Sequence, residues 1–203
     1  MKHCFILVFL CLLTGSVIGQ KFNGGLLAGF SASQVDGDTY SGYNKIGAMG
    51  GVFVSAPIFP KVDAILEIKY MGKGAHKKST ENDPTLYTSK LRYIELPLIL
   101  RFINKTKIDW EVGSGVGYLF SHAEEDEYGE IPPSNSPKFK KLEINTMLGM
   151  GYNITQHWAA RLRFSYSLFP IIKTYTDSRY YFYNRGAYNN LFSFGMFYTF
   201  NDH

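Results

Sequence analysis

Apolar and polar side chains alternate one for one along much of this chain, most plainly between residues 141 and 200. From 142 to 152 the even positions are Leu142, Ile144, Thr146, Leu148, Met150 and Tyr152, and the odd ones Glu143, Asn145, Met147, Gly149 and Gly151. Next, Ala160, Leu162, Phe164, Tyr166 and Leu168 oppose Arg161, Arg163, Ser165 and Ser167. The last run sets Phe192, Phe194, Met196, Tyr198 and Phe200 against Ser193, Gly195, Phe197 and Thr199. Successive side chains leave a strand on opposite sides, so a period of two sorts apolar from polar between the two faces of one sheet. The apolar face carries no charge in any of the three runs.

The same pattern predicts eight strands, near 22–32, 46–56, 62–72, 90–102, 108–120, 141–152, 158–169 and 188–200. Each is about the length a tilted strand needs to cross a bilayer. Short connections at 57–61, 103–107 and 153–157 alternate with long ones at 33–45, 73–89, 121–140 and 170–187. Short turns at one end and long loops at the other are the asymmetry of outer-membrane barrels. The expected fold is all-β, an eight-stranded antiparallel up-and-down transmembrane β-barrel.

A soluble lipocalin-like barrel would alternate in the same way with its faces exchanged. Side-chain volume decides between the two. The apolar face holds Leu66, Ile68, Tyr70, Leu96, Leu98, Leu100, Phe102, Trp110, Tyr118 and Phe120, and an eight-stranded interior is only just wide enough for side chains to fill it. Facing lipid, they crowd nothing. The opposite face carries Gly113, Gly115, Gly117, Gly149, Gly151, Ser193 and Gly195, as a narrow interior requires. Its charges nearly balance, with Asp63, Glu67, Glu95, Glu111 and Glu143 against Lys69, Arg101, Arg161 and Arg163. Charges in so narrow a space must be paired, so the expected lumen is a salt-bridged plug and not an open pore. Pro97, inside a strand, is expected at a bulge facing the lumen. Two aromatic girdles are expected, Phe102, Trp110, Tyr152, Trp158 and Phe200 at the short-turn ends and Tyr70, Tyr118, Phe120, Tyr166 and Phe192 at the long-loop ends.

Composition agrees with a membrane barrel: aromatic residues make up 16% of the 203 residues, natural where belts line two interfaces. A length of 203 residues suits one domain. Residues 1–19 read as a secretory signal peptide, with Lys2 before an apolar stretch from Phe5 to Leu13, leaving 20–203 as the barrel domain. Both cysteines, Cys4 and Cys11, fall in that signal, so disulfides play no part in the exported chain. A net charge of +4 with scattered Lys and Arg excludes nucleic acid as a partner.

The sequence resembles the PorT-like outer-membrane β-barrel family of Bacteroidota over nearly the whole exported chain. The resemblance is carried by Gly24-Gly25-Leu26-Leu27-Ala28-Gly29-Phe30 with Ser33-Gln34-Val35-Asp36-Gly37-Asp38 and Gly42-Tyr43-Asn44-Lys45-Ile46-Gly47. Further marks are Tyr93-Ile94-Glu95-Leu96-Pro97-Leu98, the Gly113 to Gly117 strand and the aromatic last strand. It implies an outer-membrane barrel without enzymatic activity, makes Pro97 an ordinary feature, and implies no single shared role.

Candidate chemistry is sparse. Asp36-Gly37-Asp38 supplies too few ligands for a calcium loop and reads as a tight polar turn. Glu124, Glu125, Asp126, Glu127 and Glu130 read as a solvated acidic loop with divalent cations as the alternative. Lys73, His76, Lys77 and Lys78 stand beyond the third strand, where lipopolysaccharide phosphates would lie. Tyr175, Tyr180, Tyr181, Phe182, Tyr183 and Tyr188 enrich the last long loop, as packed aromatics or a partner surface. Ser121 and His122 are adjacent and so point to opposite faces; with His157 in a turn and His76 in a loop, no acyl-hydrolase triad assembles. Asn104-Lys105-Thr106 and Asn153-Ile154-Thr155 match a glycosylation pattern but fall in short turns.

The expectation is therefore an integral outer-membrane protein of structural or interaction role, with no catalytic, metal or cofactor residues. A secretion-apparatus component is the alternative, and a soluble carrier the less favoured one. Expected partners are outer-membrane lipids, with lipopolysaccharide as a candidate, and a membrane protein.

Overall fold

A computed structural model describes residues 22–37, 42–77, 85–132, 134, 136–172 and 186–200. The expected signal peptide, Asp38, Lys78 and Tyr175 to Tyr183 lie outside the described residues. The strands are β1 (Asn23–Asp36), β2 (Lys45–Phe59), β3 (Val62–Lys77), β4 (Tyr87–Phe102), β5 (Ile108–Asp126), β6 (Gly129–Glu130), β7 (Leu142–Asn153), β8 (Trp158–Ser167) and β9 (Tyr188–Thr199). They form one antiparallel sheet in the order β4-β3-β2-β1-β9-β8-β7-β5-β6, and β4 pairs with β5 to close the ring. Eight strands make the barrel. The two-residue β6 only folds back on the end of β5.

The faces are sorted as the alternation requires. Leu66, Ile68, Leu96 and Leu98 are exposed side by side on β3 and β4, Leu98 at 57%, while Glu67, Lys69, Glu95 and Ile99 behind them are buried. The soluble, inward-packed reading is thereby overturned. Both sets of aromatics flank this apolar band. At the short-turn end Trp158 packs on Tyr198 with centroids 4.9 Å apart; at the other Tyr70 meets Phe120 at 6.2 Å.

Strands reach farther than expected on the long-loop side, to Asp36, Lys77 and Asp126. The acidic run is accordingly not a loop: Glu124, Glu125 and Asp126 end β5, and Glu130 lies in β6. Polar side chains on both faces had hidden these extensions, because above the membrane the outer face no longer needs to be apolar.

Pro97 corrects a second expectation. It faces the lumen and is buried, but it pairs in register with Gly115, and the β4–β5 irregularity lies at Arg92/Tyr93 instead. Toward β3 the ladder runs from Val62↔Phe102 to Leu66↔Leu98 and resumes in the same register at Lys69↔Glu95. The gap falls where proline has no N–H to donate. A Cβ on Gly115 would lie 3.0 Å from Pro97 Cα, so the glycine makes room for the ring.

The interior is also more apolar than expected. Leu27, Met49, Phe53, Ile65, Met71, Ile99, Met147 and Phe197 are buried in it around the charges.

Candidate functional site

Charged side chains on five strands meet in the lumen. Arg161 and Arg163 on β8 share Glu111 on β5, Arg161 through Nη1 and Arg163 through Nε at 2.7 Å. Arg163 also donates to Glu67 at 2.9 Å. Lys69 continues the chain, 3.2 Å from Glu67 and 3.8 Å from Glu95, and Lys73 lies 2.6 Å from both Glu95 and Glu143. Asn145 donates to Glu95 at 3.2 Å and Asn189 to Glu143 at 2.6 Å. Nearer the short turns Arg101 pairs separately with Asp63. Charges withdrawn from water require such mutual satisfaction. Phe197 adds a face to the guanidinium carbons of Arg161 and Arg163, 5.2 and 4.9 Å from its centroid.

Glycines make the network sterically feasible. A Cβ on Gly149 would come within 2.7 Å of Arg163 Cγ and one on Gly151 within 2.5 Å of Arg161 Nη1. The long side chains lie across these two backbones.

Lys73 is the clearest correction to the sequence reading. It is not on the surface at the height of lipid phosphates but 1% exposed in the lumen, because β3 continues past Tyr70 and keeps its alternation. Extending the parity of Glu67 and Lys69 through Met71 would have placed it. Asp109 was missed altogether. Two residues before Glu111 and facing the same way, it is 1% exposed and accepts one hydrogen bond, from Asn153 Nδ2 at 2.7 Å.

Above the ion pairs the long-loop end is capped. The segment after β8 turns inward, with Ile171 1% and Ile172 5% exposed. Ile171 N–H donates to the Ala187 carbonyl at 2.7 Å, and the Ile171 carbonyl accepts from Lys140 N–H at 2.7 Å. Ile171 and Ile172 join Val35, Leu91, Leu119 and Leu191 in one buried apolar cluster. A predicted surface loop thus begins as a lid, and the only sequence signal for it was an apolar pair after Pro170. At the short-turn end a cavity of about 450 Å³ opens among Phe53, Asp63, Arg101, Asp109, Arg161 and the 155–157 turn.

The other candidate residues stay dispersed. His76 Nδ1 lies 2.9 Å from the Thr88 hydroxyl and Lys77 reaches the Thr85 hydroxyl. Asp36 accepts from Gln34 Nε2 at 2.7 Å and from Asn190 Nδ2 at 3.0 Å, beside Gly37 at φ +93°. Glu124 is held by the Tyr87 and Ser136 hydroxyls, Glu125 by Lys90, and Asp126 by the Tyr128 N–H. Ser121 accepts from Arg92 at 3.1 Å, whereas the His122 ring packs on Phe139. Asn104 and Asn153 sit at the short-turn end as expected, Asn104 accepting from Lys105 N–H.

Residues 18–173 match the family described as the outer membrane protein beta-barrel domain, well over half of the chain. The chain belongs to this family. As an outer-membrane β-barrel protein it shares its fold with Neisserial surface protein A, at 10% identity and a TM-score of 0.52, covering 90% of this chain and 99% of that one. It is equally similar to Ail, the attachment invasion locus protein of Yersinia pestis, solved in complex with the heparin analogue sucrose octasulfate. There the identity is 12% and the TM-score 0.52, over 89% of this chain and 99% of that one. Identities this low speak for the fold alone. The sequence has no match among curated proteins.

Proposed function

We propose that this outer-membrane barrel is a non-conducting protein of structural or interaction role, exported by a signal peptide at residues 1–19, that presents long hairpins at the cell surface. One observation carries the reading. Within the described residues the lumen holds a linked chain of ion pairs from Arg161 to Glu143, with Ile171 and Ile172 buried at the long-loop end. The PorT-like affiliation is proposed on the Tyr93 to Leu98 strand and the first hairpin. Catalysis has no support: the Ser121 hydroxyl is engaged by Arg92, and His122 faces away against Phe139. Outer-membrane lipids cover the apolar band, and lipopolysaccharide phosphates would stand at the height of the exposed Arg92 and half-buried His76.

Reconstitution tests this directly. The folded protein is expected to migrate differently before and after boiling and to give no steady conductance in planar bilayers. A stable porin-like conductance would overturn the proposal.

A further inference from the structure

The two ends of the lumen differ, and so do its charges. Among the described residues seven carboxylates are buried, Asp63, Glu67, Glu95, Asp109, Glu111, Glu124 and Glu143, against five inward cations, Lys69, Lys73, Arg101, Arg161 and Arg163. Every cation has a carboxylate within salt-bridge distance. Two of these carboxylates have no cation among the described residues: Glu124, held by the Tyr87 and Ser136 hydroxyls, and Asp109, with Oδ2 on the Asn153 amide and no partner for Oδ1. A carboxylate without a direct ion pair is costly to bury, and Asp109 stands on the wall of the open cavity. Three further buried polar atoms without partners belong to residues lining that cavity, Arg101 Nε, Arg161 Nε and Asn23 Oδ1. Polar atoms without partners, donors and acceptors both, thus belong to the residues around one space, walled on its apolar side by Phe53 and Phe197. Around it the short turns expose Lys61, Lys105 and Lys107.

We propose that the lumen is a blind cup, sealed toward the cell surface and open to the periplasm, whose mouth binds a small periplasmic molecule carrying both an ammonium and a carboxylate group, of the amino-acid or short-peptide class. The ammonium supplies the direct ion pair that Asp109 lacks, with Asn153 turning aside or sharing the carboxylate. The carboxylate meets the Arg101 and Arg161 side and the lysine rim, and an apolar side chain lies on Phe53 and Phe197. The sealed end rests on the non-conducting reading above; the site itself does not.

The test uses single-cysteine variants of the exported chain, folded in detergent micelles. Thr199→Cys places a thiol on the cavity wall, and Ser33→Cys places one in the upper lumen, where Ser33 is 0% exposed. A charged methanethiosulfonate reagent is expected to label the first and spare the second. Equal labelling of both would overturn the sealed end. Phenylalanine at about ten times its dissociation constant is expected to slow labelling of Thr199→Cys about tenfold by occupancy. N-acetylphenylalanine, without the ammonium, and phenethylamine, without the carboxylate, are expected to need about tenfold higher concentrations for the same protection. Asp109→Asn, checked for folded migration, is expected to weaken phenylalanine protection by a similar factor. No protection by phenylalanine, or equal protection by all three compounds, would overturn the site even if the end proves sealed.

Discussion

Single side chains in this barrel matter according to their face and their height along the strand. Lys73 and Lys77 are four residues apart on β3, yet Lys73 balances two buried glutamates while Lys77 reaches a threonine hydroxyl at the rim. Lys73→Met strands two carboxylates and is expected to cost about 3–5 kcal/mol, whereas Lys77→Met is expected to stay within about 0.5 kcal/mol. Urea titration of the folded barrel in vesicles checks both. The alternation that turns Lys73 inward was legible as far as Tyr70. Beyond it the outer face turns polar at Gly72, Gly74 and His76, so the contrast that reveals a strand disappears although the strand goes on. Gly74 marks the place, with φ +138° and room for no Cβ, which would fall 1.9 Å from the Ser89 carbonyl oxygen.

Strands and their connections obey two different solvents. Along β4 the outer face is hydrocarbon-facing through Ile94, Leu96, Leu98 and Leu100, and Leu98→Arg near the middle of the band is expected to cost about 2–4 kcal/mol. The same urea titration, run beside Arg92→Leu at the rim with little expected effect, checks that the loss depends on depth. Short turns were readable from Pro60 and from the Asn-Lys-Thr and Asn-Ile-Thr triplets because turn chemistry is local. The lid was not, since Ile171 and Ile172 are buried only by β1, β4, β5 and β9 coming together beneath them. Ile171→Asp places a charge in that apolar cluster and is expected to unseat the lid, seen as the appearance of methanethiosulfonate labelling at Ser33→Cys.

At the scale of the whole molecule, closure makes the lumen a shared interior to which all eight strands of the ring contribute. Ion pairs there are shielded from solvent, and screening by salt falls mainly on exposed charges. Raising sodium chloride to about 1 M is therefore expected to change unfolding free energy by less than about 1 kcal/mol, measured by urea titration at the two salt concentrations. A network opened to water would respond more strongly. The two ends are unequal in the same global sense: an apolar lid at one and a polar cavity at the other follow from which loops fold inward.

Alternation, side-chain volume and turn chemistry by themselves determined the strand number, the lipid-facing side and the compensation of charge inside, because each depends on neighbours one or two residues apart. Closure of β4 on β5 decided the rest. It set which carboxylate faces which cation, left Asp109 without one, and drew Lys73 and the Ile171–Ile172 segment inward. These outcomes depend on residues far apart in the chain, whose proximity exists only once the ring is complete.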